Sequence, residues 1–115
     1  HHLGGEVVLK IEDKKMIKIM NGLIASVSKN LDNFRFDLAA EEIYQVFWHQ
    51  FCDKYLESVK SRKNDPAVEE TLLVSLKTFL ILLHPFMPFI TETIWQQIKT
   101  KSEPDLIVTP WPKKI

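Results

Sequence analysis

The stretch FRFDLAAEEIYQVFWHQFCDKYLESVK, from Phe34 to Lys60, decides the fold of this chain. Its aromatic side chains fall within about three helical turns, at Tyr44, Phe47, Trp48, Phe51 and Tyr55. With the neighbouring aliphatic residues they cover about half of the helix circumference, which is wider than an ordinary surface helix needs. We therefore predict a helix over about 38–61, with Asp37 as its N-cap, that packs against more than one neighbour.

The overall composition is typical of one globular domain. The chain has 115 residues, of which 45% are apolar and 26% charged, and these are ordinary values. Fifteen basic residues balance fifteen acidic ones, so an anionic partner must bind to a local patch and not to a general positive field. The single cysteine, Cys52, excludes an internal disulfide and fits a reducing, cytoplasmic setting.

The N-terminus is set apart from the rest of the chain. His1 and His2, followed by Leu-Gly-Gly, are typical of the remnant of a purification tag. We therefore expect residues 1–5 to be that remnant and residues 6–115 to form the helical domain. No apolar run reaches the length of about 18 residues that suggests a membrane span.

Prolines and apolar periodicity define the other helices. A stripe with a spacing of three or four residues predicts a helix over about 12–31. Asp65 and Pro66 form an N-cap and a first helical residue, which starts a helix over 66–83, and His84 is expected to cap its end before Pro85. Pro88 starts the last helix, over 88–99. The short loops between these segments predict an all-α, antiparallel up-down four-helix bundle, followed by an extended C-terminal tail anchored by Trp111.

The predicted core is drawn from the apolar faces of the last three helices. Its members are Phe47, Phe51, Leu76, Phe79, Leu80, Phe89, Ile94 and Trp95. Gly22 interrupts the first helix, and one explanation is a close contact with another helix. The lysines of the first helix fall off its apolar stripe, and we interpret them as a solvated face. They are Lys14, Lys15, Lys18 and Lys29.

The sequence contains no constellation of catalytic residues. His49 and Asp53 have a spacing that metal ligands also use, but no third ligand accompanies them, so we expect no metal site. Cys52 is interpreted as a small core residue because nothing near it in the sequence would lower its pKa. The residue chemistry therefore favours binding and not catalysis.

Some aromatic and cationic residues are candidates for contact with RNA. Tyr44, Trp48 and Tyr55 lie at one margin of the aromatic arc, where a polar tip can reach a partner. Aromatic rings beside cations stack on unpaired bases, and several cations lie near the ends of the second helix. The RNA-binding candidates are Arg35, Lys54, Lys60, Arg62 and Lys63.

Three motifs carry a family resemblance. The opening stretch, together with LLHPFMPFITETIWQQI from Leu82 and LIVTPWP from Leu106, closely resembles the anticodon-binding helical domain of class I aminoacyl-tRNA synthetases. Within that class these motifs are most similar to those of the valyl-type synthetases. The resemblance covers about residues 12–112 and includes a Pro-Phe-x-Pro-x-x-x-Glu-x-x-Trp segment that ends in Glu92 and Trp95.

The resemblance implies a function in tRNA binding. Such a domain holds the anticodon stem and loop, here that of tRNA-Val, and positions the tRNA for a catalytic domain that uses ATP and Mg²⁺. The HIGH and KMSKS signatures of that catalytic domain do not occur in this sequence. We therefore expect this fragment to have no catalytic activity and no cofactor of its own, and to be monomeric.

The sequence departs from the family pattern at three points. Lys54 occupies the position of a usual Trp, and Thr93 that of a usual second Glu. The Asn-Ala-x-Arg-Phe-like helix linked to anticodon reading is also not found, so we expect the chain to begin after it and to stop before the C-terminal coiled-coil arm. RNA binding by the fragment alone is accordingly expected to be weak.

Two alternatives stay open at the level of the sequence. The aromatic margin fits a helical bundle that binds another protein, which predicts an exposed apolar patch and salt-insensitive association. The same domain of an isoleucyl- or leucyl-type synthetase also shares the bundle and the Pro-Phe-x-Pro segment.

Overall fold

The computed structural model describes residues 8–62, 64–113 and 115, and this part of the chain is all-helical, without strands. Helix α1 spans Ile11–Asp32. Helix α2 has three consecutive sections: an α-helix at Phe36–Gln45, a π-helix at Val46–Tyr55 and a last α-turn at Leu56–Ser58. Helices α3 and α4 span Pro66–Leu83 and Pro88–Ile98, and 3₁₀ turns occur at Lys60–Arg62 and Leu106–Val108. The all-α prediction with four helices is confirmed, whereas the antiparallel up-down order stays a prediction. The tag prediction for residues 1–5 lies outside the described residues.

The predicted N-cap is confirmed for α3 but not for α2. At α3, the side chain of Asp65 accepts a hydrogen bond of 2.9 Å from the backbone of Ala67, and Pro66 is the first helical residue, as predicted. At α2, the helix begins at Phe36, and Asp37 lies inside its first turn. Phe34, between α1 and α2, takes a left-handed conformation with φ of 59°, and the helix starts two residues after it. The prediction of Asp37 as N-cap is therefore wrong.

Helix α2 buries a side chain at every fourth position. Ala39, Ile43, Phe51, Tyr55 and Val59 are buried, and Phe47 packs against them. In a regular α-helix with 3.6 residues per turn, a four-residue repeat drifts by about 40° per step. The π section slows this rotation because its hydrogen bonds run from i to i+5 and widen the turn; the amide of Leu56, for example, donates to the carbonyl of Phe51.

The main core lies between α1, α2 and α3. Helix α1 contributes a continuous buried stripe and contacts both of the other helices. Phe79 of α3 lies at the centre of the aromatic cluster, with ring centroids 5.2 Å from Phe47 and 5.4 Å from Phe51. The buried residues from α1 are Met16, Met20, Leu23, Ile24 and Val27.

Helix α3 buries small polar residues that the sequence analysis does not place in the core. Thr71, Ser75 and Thr78 are buried, whereas the predicted core residue Leu76 is only half-buried. Thr71 and Thr78 donate hydrogen bonds of 2.8 Å to the carbonyls of the residues four positions earlier. These internal bonds satisfy the hydroxyl groups, so that threonine can occupy a helix-packing surface. The predicted core residues Phe79 and Leu80 are buried, so apolar periodicity located the contact face of α3 but missed the polar residues that share it.

Helix α4 presents a different face to the protein than the sequence predicts. Trp95 is buried with Leu80 and Leu106, but Phe89 is 86% exposed and Ile94 is 38% exposed. Thr91 is buried instead, because its hydroxyl group lies 2.9 Å from Nδ1 of His84 and donates to the carbonyl of Met87. Thr91 and Trp95 lie one turn apart and form the buried face of α4. Phe89 and Ile94 lie outside this face and are exposed. The core predictions for Phe89 and Ile94 are wrong.

Hydrogen bonds from several side chains fix the C-terminal segment to the helices. The carboxylate of Glu92 accepts 3.0 Å hydrogen bonds from the amides of Leu106 and Ile107. The indole N–H of Trp95 donates to the carbonyl of Pro104 at 2.9 Å. The indole N–H of Trp111 donates to the hydroxyl of Ser28 on α1 at 2.8 Å. Trp111 is thus the anchor that the sequence predicts.

None of the helices in the described ranges has the length and apolarity required to span a membrane.

Candidate nucleic-acid interface

Two of the predicted contact aromatics form an exposed pair on α2. Tyr44 is 59% exposed and Trp48 is 46% exposed, and their ring centroids lie 6.2 Å apart. Behind them, Phe47 contacts Trp48 edge-on at 5.3 Å and Phe79 at 5.2 Å. The exposed pair therefore rests on the aromatic core, which limits the rotamers available to Trp48.

Tyr55 differs from this pair and is not at the surface. Only 4% of it is exposed, and its hydroxyl group donates a 2.6 Å hydrogen bond to Asp13 of α1. Burial, together with this bond to a carboxylate, raises the pKa of Tyr55. The widened turn of the π section places Tyr55 inward with Phe51, so its prediction as a marginal RNA contact is wrong.

Arg62 is a structural residue and not a free cation. Its guanidinium is 13% exposed and donates to Asp13 at 2.7 Å, to Asp65 at 3.0 Å and to Glu12 at 3.2 Å. These contacts connect the start of α1, the 3₁₀ turn after α2 and the cap of α3. The hydrogen bond to Asp13 raises the pKa of Arg62. Arg62 is fully engaged in this cluster, so its prediction as an RNA-binding residue is not supported by its position.

Asp13 is the centre of that cluster, and the sequence analysis missed it. Burial alone raises the pKa of Asp13, but hydrogen bonds from Arg62, Tyr55 and the backbone of Lys10 outweigh it and hold the pKa below its ordinary value. The third helical position of Asp13 also lets it accept a 3.0 Å hydrogen bond from the amide of Lys10. The only sequence signal for it is an acid in the first turn of a helix, which usually remains at the surface.

The remaining cations divide into paired and unpaired groups. Arg35 pairs with Asp37 at 3.0 Å and Lys60 with Glu57 at 3.0 Å, all at exposed positions. Lys54 is exposed and has no ion-pair partner among the described residues. Lys63 lies outside the described residues. Of the predicted RNA-binding cations within the described ranges, Lys54 is thus the one whose charge is not offset by a contacting acid.

Lys54 lies on the rim of an open groove between α1 and the π section of α2. The floor of this groove is apolar, and its rim carries two lysines and one acid. The groove is lined by Glu12, Lys15, Met16, Ile19, Gln50, Lys54, Tyr55 and Ser58. The sequence predicts a solvated face for Lys15 and gives no sign that it lies next to Lys54, because the two lysines are far apart in the chain.

His49, Asp53 and Cys52 are the residues that the sequence offers for metal binding or catalysis. His49 and Asp53 lie 3.6 Å apart on an exposed helix face, and the described part of the chain contains no group of three potential metal-ligating side chains. Cys52 is half-buried, and burial followed by the nearby charge of Asp53 raises the pKa of its thiol. A thiol with a raised pKa is a poor nucleophile at neutral pH.

Comparison with known proteins places this geometry in context. A family model described as the anticodon-binding domain of tRNA ligase matches residues 13–115. The chain is 40% identical over 108 residues to the valine--tRNA ligase of Fervidobacterium nodosum, a match that covers 91% of this chain and 12% of that protein. The valine--tRNA ligase of Petrotoga mobilis is 37% identical over 111 residues, covering 91% of this chain and 13% of that protein. The chain thus spans about an eighth of the length of these relatives.

Proposed function

This chain belongs to the family of anticodon-binding domains of tRNA ligases, and on that premise we propose that it binds the anticodon stem and loop of a valine tRNA. The family match over residues 13–115 carries the proposal. The identity of 40% and 37% with two valine--tRNA ligases supports the choice of valine over the isoleucyl and leucyl alternatives. The whole protein would be a class I, ATP-dependent ligase of the cytoplasm, and its catalytic domain, with ATP and Mg²⁺, would join valine to the tRNA.

The exposed aromatic pair supports contact with unpaired bases. Tyr44 and Trp48 lie side by side, and Trp48 packs on the ring of Phe47. A ring held by packing loses little conformational entropy when a base stacks on it, and base stacking contributes about 1–3 kcal/mol per base. Three exposed cations accompany this pair and are suited to contact phosphates. They are Arg35 just before the helix, Lys54 on it and Lys60 in the 3₁₀ turn just after it.

The role of this domain would be to position the tRNA. Its side chains provide hydrogen bonds, rings and charges, and the three-helix core and the Asp13–Arg62 cluster hold α1, α2 and α3 in a fixed arrangement. A rigid grip on the anticodon end keeps the distant acceptor end of the tRNA in the catalytic domain, and such positioning accelerates a reaction without direct participation in it.

Fluorescence anisotropy with a labelled RNA hairpin that carries the valine anticodon loop tests this function. We expect binding that weakens steeply with salt, because phosphate contacts release counterions. We expect the double variant Tyr44→Ala, Trp48→Ala to bind at least about fivefold more weakly, which corresponds to about 1 kcal/mol of lost stacking. Phe89→Ala, the truncation of an exposed aromatic residue on α4, is the control and should bind like the wild type. Equal affinity at low and high salt would contradict the proposal.

A second candidate function is a protein-interaction bundle, favoured by the outward apolar face of α4. Phe89, Ile90 and Ile94 are exposed there in a single helix. If this face drives association, gel filtration should show oligomers at both low and high salt, and Phe89→Ser should return them to a monomer. The tRNA-binding proposal instead expects a monomer at both salt concentrations.

A further inference from the structure

We propose that the groove between α1 and the π section binds one unpaired nucleotide of an RNA loop, with its phosphate between Lys15 and Lys54. This inference deepens the proposed function and rests on it, since it names the part of the surface and the part of the RNA that meet. The two lysines line the same groove although they come from different helices.

The charge distribution around the groove favours an anion. Lys15 and Lys54 are exposed and have no acidic partner within 4 Å among the residues that the structure describes. Glu12 is the acidic residue that lines the groove, and its carboxylate contacts the guanidinium of Arg62 at 3.2 Å. Lys14 and Lys18, also exposed on α1, add positive charge on the same helix, and no acid in the described part of the chain contacts them. A chain with no net charge thus carries a local cationic site here.

The floor of the groove fits a base more closely than a second phosphate. Met16 and Tyr55 are buried beneath it, and Ile19 is half-buried, so the floor offers an apolar surface to the face of a ring. Gln50 contributes an amide, which can donate to and accept from the edge of a base. Single-stranded loops supply unstacked bases of this kind, whereas the bases of a duplex stay in their stack.

The helical geometry explains why these groups meet. Gln50 and Lys54 are four residues apart within the π section, whose wide turn brings them onto one side of α2. Helical stretches with i to i+5 hydrogen bonds are rare and often occur at functional sites. The Asp13 cluster lies just below, because Tyr55 both lines the groove and donates to Asp13.

Salt titrations with charge-removing variants test the site. The probe is the labelled valine anticodon hairpin, and the variant is Lys15→Gln with Lys54→Gln. Each single-strand phosphate contact contributes about 0.7 to the slope of log affinity against log salt, so we expect the slope of the double variant to be less steep by about 0.7 for a shared phosphate, and up to about 1.4 if each lysine contacts its own. The matched control is Lys29→Gln with Lys101→Gln, two exposed lysines outside the groove, and it should keep the wild-type slope.

The base contact has a separate readout. Gln50→Ala should weaken hairpin binding several-fold and leave the salt slope unchanged, because Gln50 contacts no phosphate. A wild-type slope in the Lys15, Lys54 variant, with normal wild-type binding, would overturn this site and leave the proposed function intact. If Gln50→Ala bound the hairpin as tightly as the wild type, the proposed contact of Gln50 with a base would be wrong. An absence of salt-dependent hairpin binding by the wild type would overturn both the site and the proposed function.

Discussion

The hydroxyl group of Tyr55 and the carboxylate of Asp13 lie 2.6 Å apart, although 42 positions separate the two residues in the chain. Both side chains are buried, so this bond joins the π section of α2 to the first turn of α1. Arg62 adds a second donor to the same carboxylate at 2.7 Å. The stability of the domain should therefore depend on Tyr55, which the sequence predicts to be a surface residue in contact with RNA.

Removal of the Tyr55 hydroxyl should destabilise the domain. Tyr55→Phe keeps the ring but leaves Asp13 with one donor fewer, and a hydrogen bond to a charged group contributes about 1.5–3 kcal/mol. We expect the free energy of unfolding, measured by urea denaturation, to fall by about that amount. Tyr44→Phe is the matched control: its ring is exposed, and it should unfold like the wild type. Equal stability of both variants would show that the Tyr55 bond contributes nothing.

The pH dependence of stability should report on Asp13. Its pKa in the folded protein lies below the ordinary value, so its contribution is complete above the unfolded pKa of about 3.9 and is lost as the pH falls. We expect the free energy of unfolding of the wild type to decrease below about pH 5. Asp13→Asn should be less stable at pH 7 by about 3–5 kcal/mol, because Arg62 loses its buried partner, and its loss of stability in acid should be smaller.

A wild-type acid profile that Asp13→Asn does not flatten would assign the acid sensitivity to other carboxylates. The candidates are acids whose pKa is also held low by hydrogen bonds. They are Asp37, Asp65, Glu92 and Glu103.

Truncation of Phe51 should destabilise the domain strongly, whereas truncation of Phe89 should have almost no effect on its stability. Phe51 is buried beside Phe79, whereas Phe89 is exposed. Phe51→Ala should therefore lower the free energy of unfolding by about 3–5 kcal/mol, the usual cost of removing a buried ring. Phe89→Ala should change it by less than about 0.5 kcal/mol. Thermal unfolding followed by circular dichroism compares the two, and a large loss for Phe89→Ala would place its ring in the core.

Gly22→Ala should stabilise the domain. Gly22 lies inside α1, is exposed, and has no atom within 4 Å of the position that a Cβ would occupy. The close helix contact considered from the sequence is therefore not the reason for this glycine. Alanine in a helix interior is favoured over glycine by about 1 kcal/mol, and urea denaturation should show an increase of that size. A decrease would indicate that another group approaches this face.

Glu92 should control the C-terminal 3₁₀ turn. Its carboxylate accepts hydrogen bonds from the amides of Leu106 and Ile107, so Glu92→Ala should speed hydrogen exchange at these two amides while the amides of α1 exchange as in the wild type. Glu41→Ala, an exposed acid on α2, is the control. Unchanged exchange at Leu106 would mean that the other contacts of the segment, such as that of Trp95, hold the turn without Glu92.

Local signals in the sequence were sufficient to predict where helices occur, but not which side of each helix is buried. Asp65, Pro66 and Pro88 act on their own neighbours, so the starts of α3 and α4 could be predicted from a few residues. The orientation of α4 depends on the contact of Thr91 with His84, which no periodicity encodes. A polar residue that satisfies its own hydroxyl group can replace an apolar one in a helix interface.

The candidate site shows the same division. The exposure of Tyr44 and Trp48 could be predicted from their place on the helix arc. The roles of Tyr55 and Arg62 could not, because both depend on Asp13, a distant residue whose burial is unusual for an acid. The four-residue spacing of the buried positions in α2 was the available signal, since a regular α-helix cannot keep such a repeat on one side.

That spacing makes the length of α2 as important as its composition. If Val46–Tyr55 took ordinary α-helical pairing with no residue removed, each turn would hold fewer residues than in the π section, and every later side chain would rotate further around the axis. Tyr55 would then lose its hydrogen bond to Asp13, and Arg62, which follows in the chain, would move away from the same carboxylate. Anyone who redesigns this domain by straightening the helix must therefore re-space its rings as well, because the irregular backbone keeps the count of residues in phase with the core.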